Sequence, residues 1–333
     1  MKAVVMTAAG APEVLQLQDV AKPELRSNTD VLVRLKAAGV NPIDTKVRQR
    51  GTFYPDLSPA ILGCDGAGII EATGSDVERF QVGDEVYFCN GGLGGPRGNY
   101  AEYAVVEQHC LALKPQTLSF EEAAAAPLVL ITAWEALYDR ARIQAGQTVL
   151  VHAGAGGVGH VAIQLAKLQG TRVFTTVGNT QKANFVKQLG ADLPILYKER
   201  DFVEAAIDAT NGEGVDVAFD TVGKETFYKS CEAVKVYGDI VTLLQPSDDG
   251  NLKTARQRNL RLGLELMLTP MLMDLKDEQA EQAKILQQCA PLIDRGQLKI
   301  QLTRTYPLAE AAAAHTAIEE GSMTGKLALL IGG

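Results

Sequence analysis

The stretch QTVLVHAGAGGVGHVAIQLAKLQG, from Gln147 to Gly170, limits what this chain can fold into more than any other. Thr148 to His152 is a short apolar run that predicts a strand, Gly154 to Gly159 predicts a glycine turn, and Val158 to Leu168 carries apolar residues at helical spacing. In a strand-turn-helix unit the glycines have separate jobs. One permits the tight turn, one lets backbone approach a pyrophosphate, and one lets the helix press against its strand. The phosphates then sit at the helix N-terminus, where N–H groups without helical partners and the macrodipole favour negative charge. A glycine turn with no ligand is the alternative that the cluster alone leaves open.

The surrounding sequence supplies context. Downstream, strand patterns at Arg172 to Thr176, Pro194 to Tyr197, Val215 to Asp220 and Asp239 to Leu244 alternate with helical ones. That alternation predicts a doubly wound parallel sheet with its ligand at the carboxyl ends of the strands. Leu260, Leu262, Leu264 and Leu266 alternate as a last strand. Upstream, short strand patterns punctuated by Gly, Pro and Asp predict a β-rich lobe: Ala3 to Met6, Asp30 to Ala38, Gly68 to Ala72, Glu85 to Phe88 and Tyr103 to Val106. A run of Ala after Glu121 leads into a helix over Pro127 to Leu137, and this shift in composition marks the boundary. After the last strand come a helix over Asp277 to Gly296, a strand over Leu298 to Leu302, a helix over Pro307 to Glu320 and a strand over Lys326 to Ile331.

Within that context Gly146-Gln147, Leu150, Ala155-Gly156-Gly157, Gly159, Gln164 and Lys167 fall at the spacings of the signature of quinone oxidoreductases and zeta-crystallin. The chain resembles that zinc-independent branch of the medium-chain dehydrogenase/reductase superfamily over nearly its whole length. Gly154 departs from the pattern, since the family more often has Ser or Ala there. The resemblance implies an α/β protein: a Rossmann doubly wound parallel sheet over residues 123–267, plus a discontinuous GroES-like β-rich domain over residues 1–122 and 268–333. It also implies a homodimer joined through the last strand, and an open, half-apolar edge strand is physically better paired than exposed.

Composition sets outer limits. With 333 residues, 46% hydrophobic and 22% charged, the chain has length for two cores and no apolar run long enough to span a membrane. A net charge of −8 argues against nucleic acid or an anionic membrane as the main partner. Cys64, Cys89, Cys110, Cys231 and Cys289 are odd in number and contain no CxxC pair, which fits reduced thiols and a cytoplasmic setting. The segment MKAVVMTAAG reads as mature protein.

The metal question turns on three places. In LGCDGAGIIEATGSDV, from Leu62 to Val77, the glycine spacing follows a dehydrogenase pattern in which Gly-His-Glu carries a zinc ligand, but here Cys64 and Asp65 replace the His and Glu. Asn41 stands where zinc enzymes have their first Cys, and the third ligand is missing near Leu128. Gly91 to Gly98 is a cysteine-free glycine loop where a structural zinc lobe would need four cysteines. Catalytic zinc requires three converging protein ligands, so the expectation is no metal. Cys64 then reads as a small buried thiol.

An NAD-selective fold places a carboxylate at the end of its second strand, roughly 20 residues past the glycine turn. Here the segment Phe174 to Asn179 holds none, and Gly178-Asn179 occupies that end. The resemblance places Lys182 and Tyr197 around a 2′-phosphate, with Asn179 assisting, so the expected cofactor is NADPH. A solvated Lys and a half-buried Tyr are the structural alternative. The cofactor-binding set is therefore Gly154, Ala155, Gly156, Gly157, Val158, Gly159, Gly178, Asn179, Lys182 and Tyr197, with Thr132, Leu243, Leu244 and Gln245 expected from the resemblance near the nicotinamide.

Without zinc, an acceptor oxygen must be polarised by hydrogen-bond donors. The candidates are Asn41 and Tyr54, with Asp44, Arg48 and Asp65 nearby. Each has a structural alternative: Asn41 as a cap before Pro42, Asp44 as the N-cap of a short helix, Tyr54 as a loop aromatic. The histidines His109, His152, His160 and His315 are dispersed and read as structural. The implied activity is metal-free hydride transfer from NADPH to quinones or α,β-unsaturated carbonyl compounds. An enoyl-thioester reductase and a low-turnover NADPH-binding sensor are the alternatives.

Overall fold

A computed structural model describes residues 1–57 and 59–332, and the chain divides into two compact units. One comprises residues 1–130, 268–296 and 300–333, the other residues 131–267 and 297–299. Among the described residues no helix is long and apolar enough to cross a membrane.

The larger unit is built on two sheets. A small antiparallel sheet places Lys2–Met6 between Leu15–Asp19 and Ala60–Ile61. A seven-stranded sheet runs Leu302–Pro307, Lys326–Leu330, Asp30–Val40, Asp65–Thr73, Glu85–Cys89 and Ala112–Leu113, with Tyr103–Glu107 also pairing Asp30–Val40. Its long central strand is buried almost throughout, because both neighbours pair with it and Val31, Val33, Leu35 and Ala37 are enclosed. The register Gly39↔Asp65 and Val40↔Leu327 brings the carboxyl end of this strand beside the starts of two others. A Cβ on Gly39 would lie 2.3 Å from Ala124 O and 2.9 Å from Asp65 Cβ, so only glycine lets the chains approach this closely. Asn41, Asp65 and Lys326 are thereby gathered at one corner.

The smaller unit holds a six-stranded parallel sheet in the order Leu193–Leu196, Arg172–Val177, Thr148–Val151, Val215–Asp220, Val234–Thr242, Arg261–Leu264. Val149, Leu150 and Val151 are fully buried, as continuous apolar runs in a covered parallel sheet are. Successive strands leave Thr148–Val151 first to one side and then to the other, so the topological switch lies between it and Val215–Asp220.

One expected element is misplaced. Leu298 to Leu302 is not a strand; the strand is Leu302–Pro307, parallel to Lys326–Leu330. Leu298 and Ile300 are buried anchors of a connecting segment, so their alternation encodes burial and not sheet pairing.

Candidate functional site

In the smaller unit the glycine turn lies at the carboxyl end of Thr148–Val151. Ala153 takes a left-handed φ of 48°, its N–H donates to Thr176 Oγ1 at 3.0 Å, and Gly154 N donates to Thr176 O at 3.1 Å. These bonds lock the turn to the next strand. The helix Gly157–Leu168 opens on Gly156 with no side-chain cap, which leaves the first-turn N–H groups of Gly157, Val158 and Gly159 without acceptors in the helix. Glycine is required sterically. A Cβ on Gly159 would lie 2.4 Å from Ala153 O, and one on Gly154 would lie 1.9 Å from Thr175 Oγ1. The absence of Ser or Ala at 154 follows from Thr175, which is fully buried and donates to Val151 O at 2.7 Å.

His152 supports this turn from below. It is buried between Thr176 Oγ1 at 3.2 Å and Ser230 Oγ at 2.9 Å, and burial pushes its pKa down to about 4. It is a neutral hydrogen-bonding strut.

At the end of the second strand, Asn179 accepts from Lys182 N at 2.9 Å and so caps the helix Thr180–Gln188. Tyr197 is half exposed, and its hydroxyl would be 3.4 Å from a Cβ on Gly178. Lys182 has its pKa lowered by burial and then by the neighbouring Lys198 ammonium. Tyr197 thus lies beside Gly178 and next to the exposed Asn179, and the Lys182 and Lys198 ammonium groups are close enough to repel each other. Lys198 belongs to this group although sequence reasoning passed it over; its adjacency to Tyr197 was the available signal. Thr132 is buried, Leu243 N donates to Asp220 O at 3.0 Å, Leu244 is partly exposed, and Gln245 Nε2 donates to Asp248 Oδ1 at 3.1 Å.

The larger unit places three of the five candidate catalytic residues, Asn41, Asp44 and Asp65, inside one polar cluster. Asn41 is the N-cap of the helix Pro42–Arg50 and forms a capping box with Asp44, whose Oδ2 accepts from Asn41 N at 2.8 Å. Asp44 is therefore the third helical residue and not the cap. The Asn41 amide is held at both ends: Nδ2 donates to Asp65 Oδ2 at 2.9 Å, and Oδ1 accepts from Lys326 Nζ. Lys326 Nζ also donates to Val40 O at 3.1 Å, and Asp65 Oδ1 accepts from Leu128 N at 2.9 Å. The cluster continues through Tyr100, whose hydroxyl donates to Asp44 Oδ2 at 3.0 Å and lies 3.1 Å from His315 Nε2. Arg48 is buried and pairs with Glu319. Asn41, Asp44 and Asp65 have no exposed surface, whereas Tyr54 is 39% exposed with its hydroxyl 3.4 Å from Leu272 O.

Burial raises the carboxyl pKa of Asp65, opposed chiefly by the Lys326 ammonium, and lifts Asp44 to about 7. Burial also raises the Cys64 and Cys89 thiols well above their ordinary range. These side chains do not fit zinc. The position that aligns with a first ligand is an amide already accepting from an ammonium, the Cys64 thiol is held protonated, and a dication would be repelled by Lys326. Among the described residues no group of three or more His, Cys, Asp or Glu is placed to hold a metal ion. Lys326 was not among the sequence candidates, because its partners are remote in the chain.

The parallel sheet, its switch point and the uncapped glycine turn define a dinucleotide-binding protein. Comparison with known proteins is specific. Residues 27–116 match the alcohol dehydrogenase GroES-like domain, and residues 189–329 match the zinc-binding dehydrogenase domain. A quinone oxidoreductase of Pseudomonas aeruginosa is 34% identical over 332 residues, covering 99% of each chain. A 2-methylene-furan-3-one reductase of Solanum lycopersicum is 40% identical over 251 residues, 73% of this chain and 62% of that one. The crystal structure of an Escherichia coli quinone oxidoreductase complexed with NADPH superposes with a TM-score of 0.86 at 30% identity, covering 99% of this chain and 100% of that one. The chain belongs to the quinone oxidoreductase family of the medium-chain dehydrogenase/reductase superfamily, and is an oxidoreductase.

Proposed function

We propose that this enzyme transfers hydride from NADPH to quinones or α,β-unsaturated carbonyl compounds without a metal ion. The observation that carries the reading is the uncapped helix Gly157–Leu168 behind a turn where Cβ atoms do not fit, together with Tyr197 beside Gly178 and the mutually repelling pair Lys182 and Lys198. The first feature suits a diphosphate. The second suits a 2′-phosphate, which a carboxylate would repel and an ammonium attracts. The NADPH complex of the E. coli relative supports the choice of cofactor. The quinone and furanone reductases among the relatives support the acceptor class.

Bound NADPH supplies the hydride. Both acceptor types present an electron-poor carbon to it and develop negative charge on oxygen, so one donor serves either. In the larger unit Tyr54 offers that donor, since the residue is 39% exposed and, among the described residues, the one bond its hydroxyl makes is long at 3.4 Å. Asn41, Asp44, Arg48 and Asp65 are buried, and their part is to hold the floor of the site in place.

The test is steady-state reduction of a small quinone and, separately, an alkenal, with NADPH and NADH side by side. Turnover of either acceptor with a lower KM for NADPH supports the reading. Tight NADPH binding with turnover of neither makes the protein a sensor. The same reading includes a cytoplasmic homodimer. Its supports are five free cysteines and the strand Arg261–Leu264, which among the described residues pairs on one side only, with Leu262, Leu264 and Leu266 exposed alongside.

A further inference from the structure

An open cavity of about 580 Å³ lies within the larger unit. Tyr54, Leu57, Leu93 and Met271 give it apolar walls, and the nearby Phe53 and Met273 are more than half exposed. Those groups suit a flat conjugated ring or an unsaturated chain. Two arginines, Arg26 and Arg97, line this cavity, and both also line a smaller cleft that shares Asn90 and Pro96 with it. Neither has a carboxylate within ion-pair distance among the described residues. The left-handed φ values of Gly91, Gly92, Gly94 and Gly95 fold the loop that carries Arg97 back towards the sheet; a Cβ on Gly92 would lie 2.5 Å from Gly63 C.

Two carboxylates line the cavity as well. Glu107 is already engaged, by Lys276 Nζ at 2.9 Å and His109 Nδ1 at 3.4 Å. Asp274 is the other. Lys276 neutralises Glu107 from outside the lining, so the two arginines are set against Asp274 in the cavity and Glu24 in the adjoining cleft, neither of which pairs with them. A guanidinium is weakly hydrated, planar and permanently charged, and two beside an apolar wall form a receptor for carboxylate or phosphate.

Resting on the acceptor class proposed above, we infer that this cavity takes an acceptor with two ends, an electron-poor quinone or enone on the apolar walls and an anionic tail at Arg26 and Arg97. The tail is a carboxylate or a phosphate, and the two are separated by experiment.

The test uses full-length enzyme with NADPH and three benzoquinones that differ only at the end of an alkyl side chain: carboxylate, phosphate and methyl ester. The charge is remote from the ring, so intrinsic reactivity is matched. One anionic quinone is expected to exceed the ester in kcat/KM by about tenfold at low salt, as one charge-assisted contact would give. That ratio should fall towards unity in 0.5 M salt and in Arg26→Gln/Arg97→Gln, and should favour an aminoalkyl quinone in Arg97→Glu. Equal kcat/KM for all three quinones, or a preference that survives the double substitution, overturns the inference. Reduction of the ester tests the acceptor class separately. Should no quinone turn over, equilibrium dialysis of the same compounds decides: preferential anion binding lost in the double variant supports the site, and indifference overturns it.

Discussion

Replacing Lys326 with Met tests the account of the buried corner most directly. The ammonium donates to Val40 O and Asn41 Oδ1, and Asn41 passes the interaction on to Asp65 through its own amide. Lys326→Met leaves two buried oxygens without that donor, at about 1–3 kcal/mol each, and a carboxylate without a counter-charge. Measured costs of breaking a buried charge pair by removing one partner are about 3–5 kcal/mol, which for a unit of this size lowers the melting midpoint by roughly 6–20 °C. The second step separates charge from packing. Asp65→Asn removes the stranded charge while retaining an acceptor for Leu128 N or Asn41 Nδ2, so Lys326→Met/Asp65→Asn should recover at least half of the loss. Differential scanning fluorimetry of wild type, both single variants and the double variant completes the cycle. A fall below 3 °C for Lys326→Met, or losses that simply add in the double variant, would refute the reasoning.

The remaining expectations concern the cofactor ends, the pH response and the edge strand. Lys182→Ala should raise KM for NADPH at least tenfold and leave that for NADH nearly unchanged, since about 1.5–3 kcal/mol of charge-assisted bonding is removed from one cofactor only; equal effects would defeat the assignment. Gly159→Ala pushes a methyl to 2.4 Å from Ala153 O and should weaken NADPH binding at least tenfold by fluorescence titration; unchanged affinity would mean that the turn does not seat the diphosphate. Burial lifts Asp44 from 3.8 to about 7, so between those values the folded chain holds a proton that the unfolded chain has released, and this group's contribution to stability declines as pH rises. The melting midpoint of Asp44→Asn relative to wild type should therefore move in the variant's favour between pH 5 and pH 8, whereas a constant difference would contradict a protonated Asp44. Leu264→Glu should convert a dimer to a monomer by light scattering, and a wild type that is already monomeric removes the edge-strand pairing.

What could be read from the chain divides along lines of sequence distance. Strand, turn and helix around Gly154 to Gly159 are adjacent residues, and their roles followed from spacing. The parallel sheet was legible because its strands are short apolar runs with helical patterns between them. Lys326 was not legible, because its bonds to Val40 and Asn41 cross 285 or more residues and depend on the register of three strands. The same register buries Asn41, Asp44 and Asp65, which sequence motifs alone had placed within reach of substrate. Leu298 and Ile300 misled for a different reason: alternation reports which side chains are inside, and a buried connector alternates as a strand does. The strand that does form, Leu302–Pro307, carries Thr303, Arg304 and Thr305 and has no such pattern.

The contact at Gly154 sets the order in which this chain can evolve. Ala or Ser arriving first at 154 meets the Thr175 hydroxyl at 1.9 Å and passes through an intermediate that cannot pack. Losing that hydroxyl first costs its bond to Val151 O, about 1 kcal/mol, after which a Cβ at 154 meets only the movable end of Ile163 at 2.8 Å and the Cβ of residue 175 at 3.0 Å, contacts that a small shift relieves. Positions 154 and 175 should accordingly covary across descendants of this sequence, with the change at 175 the older of the two.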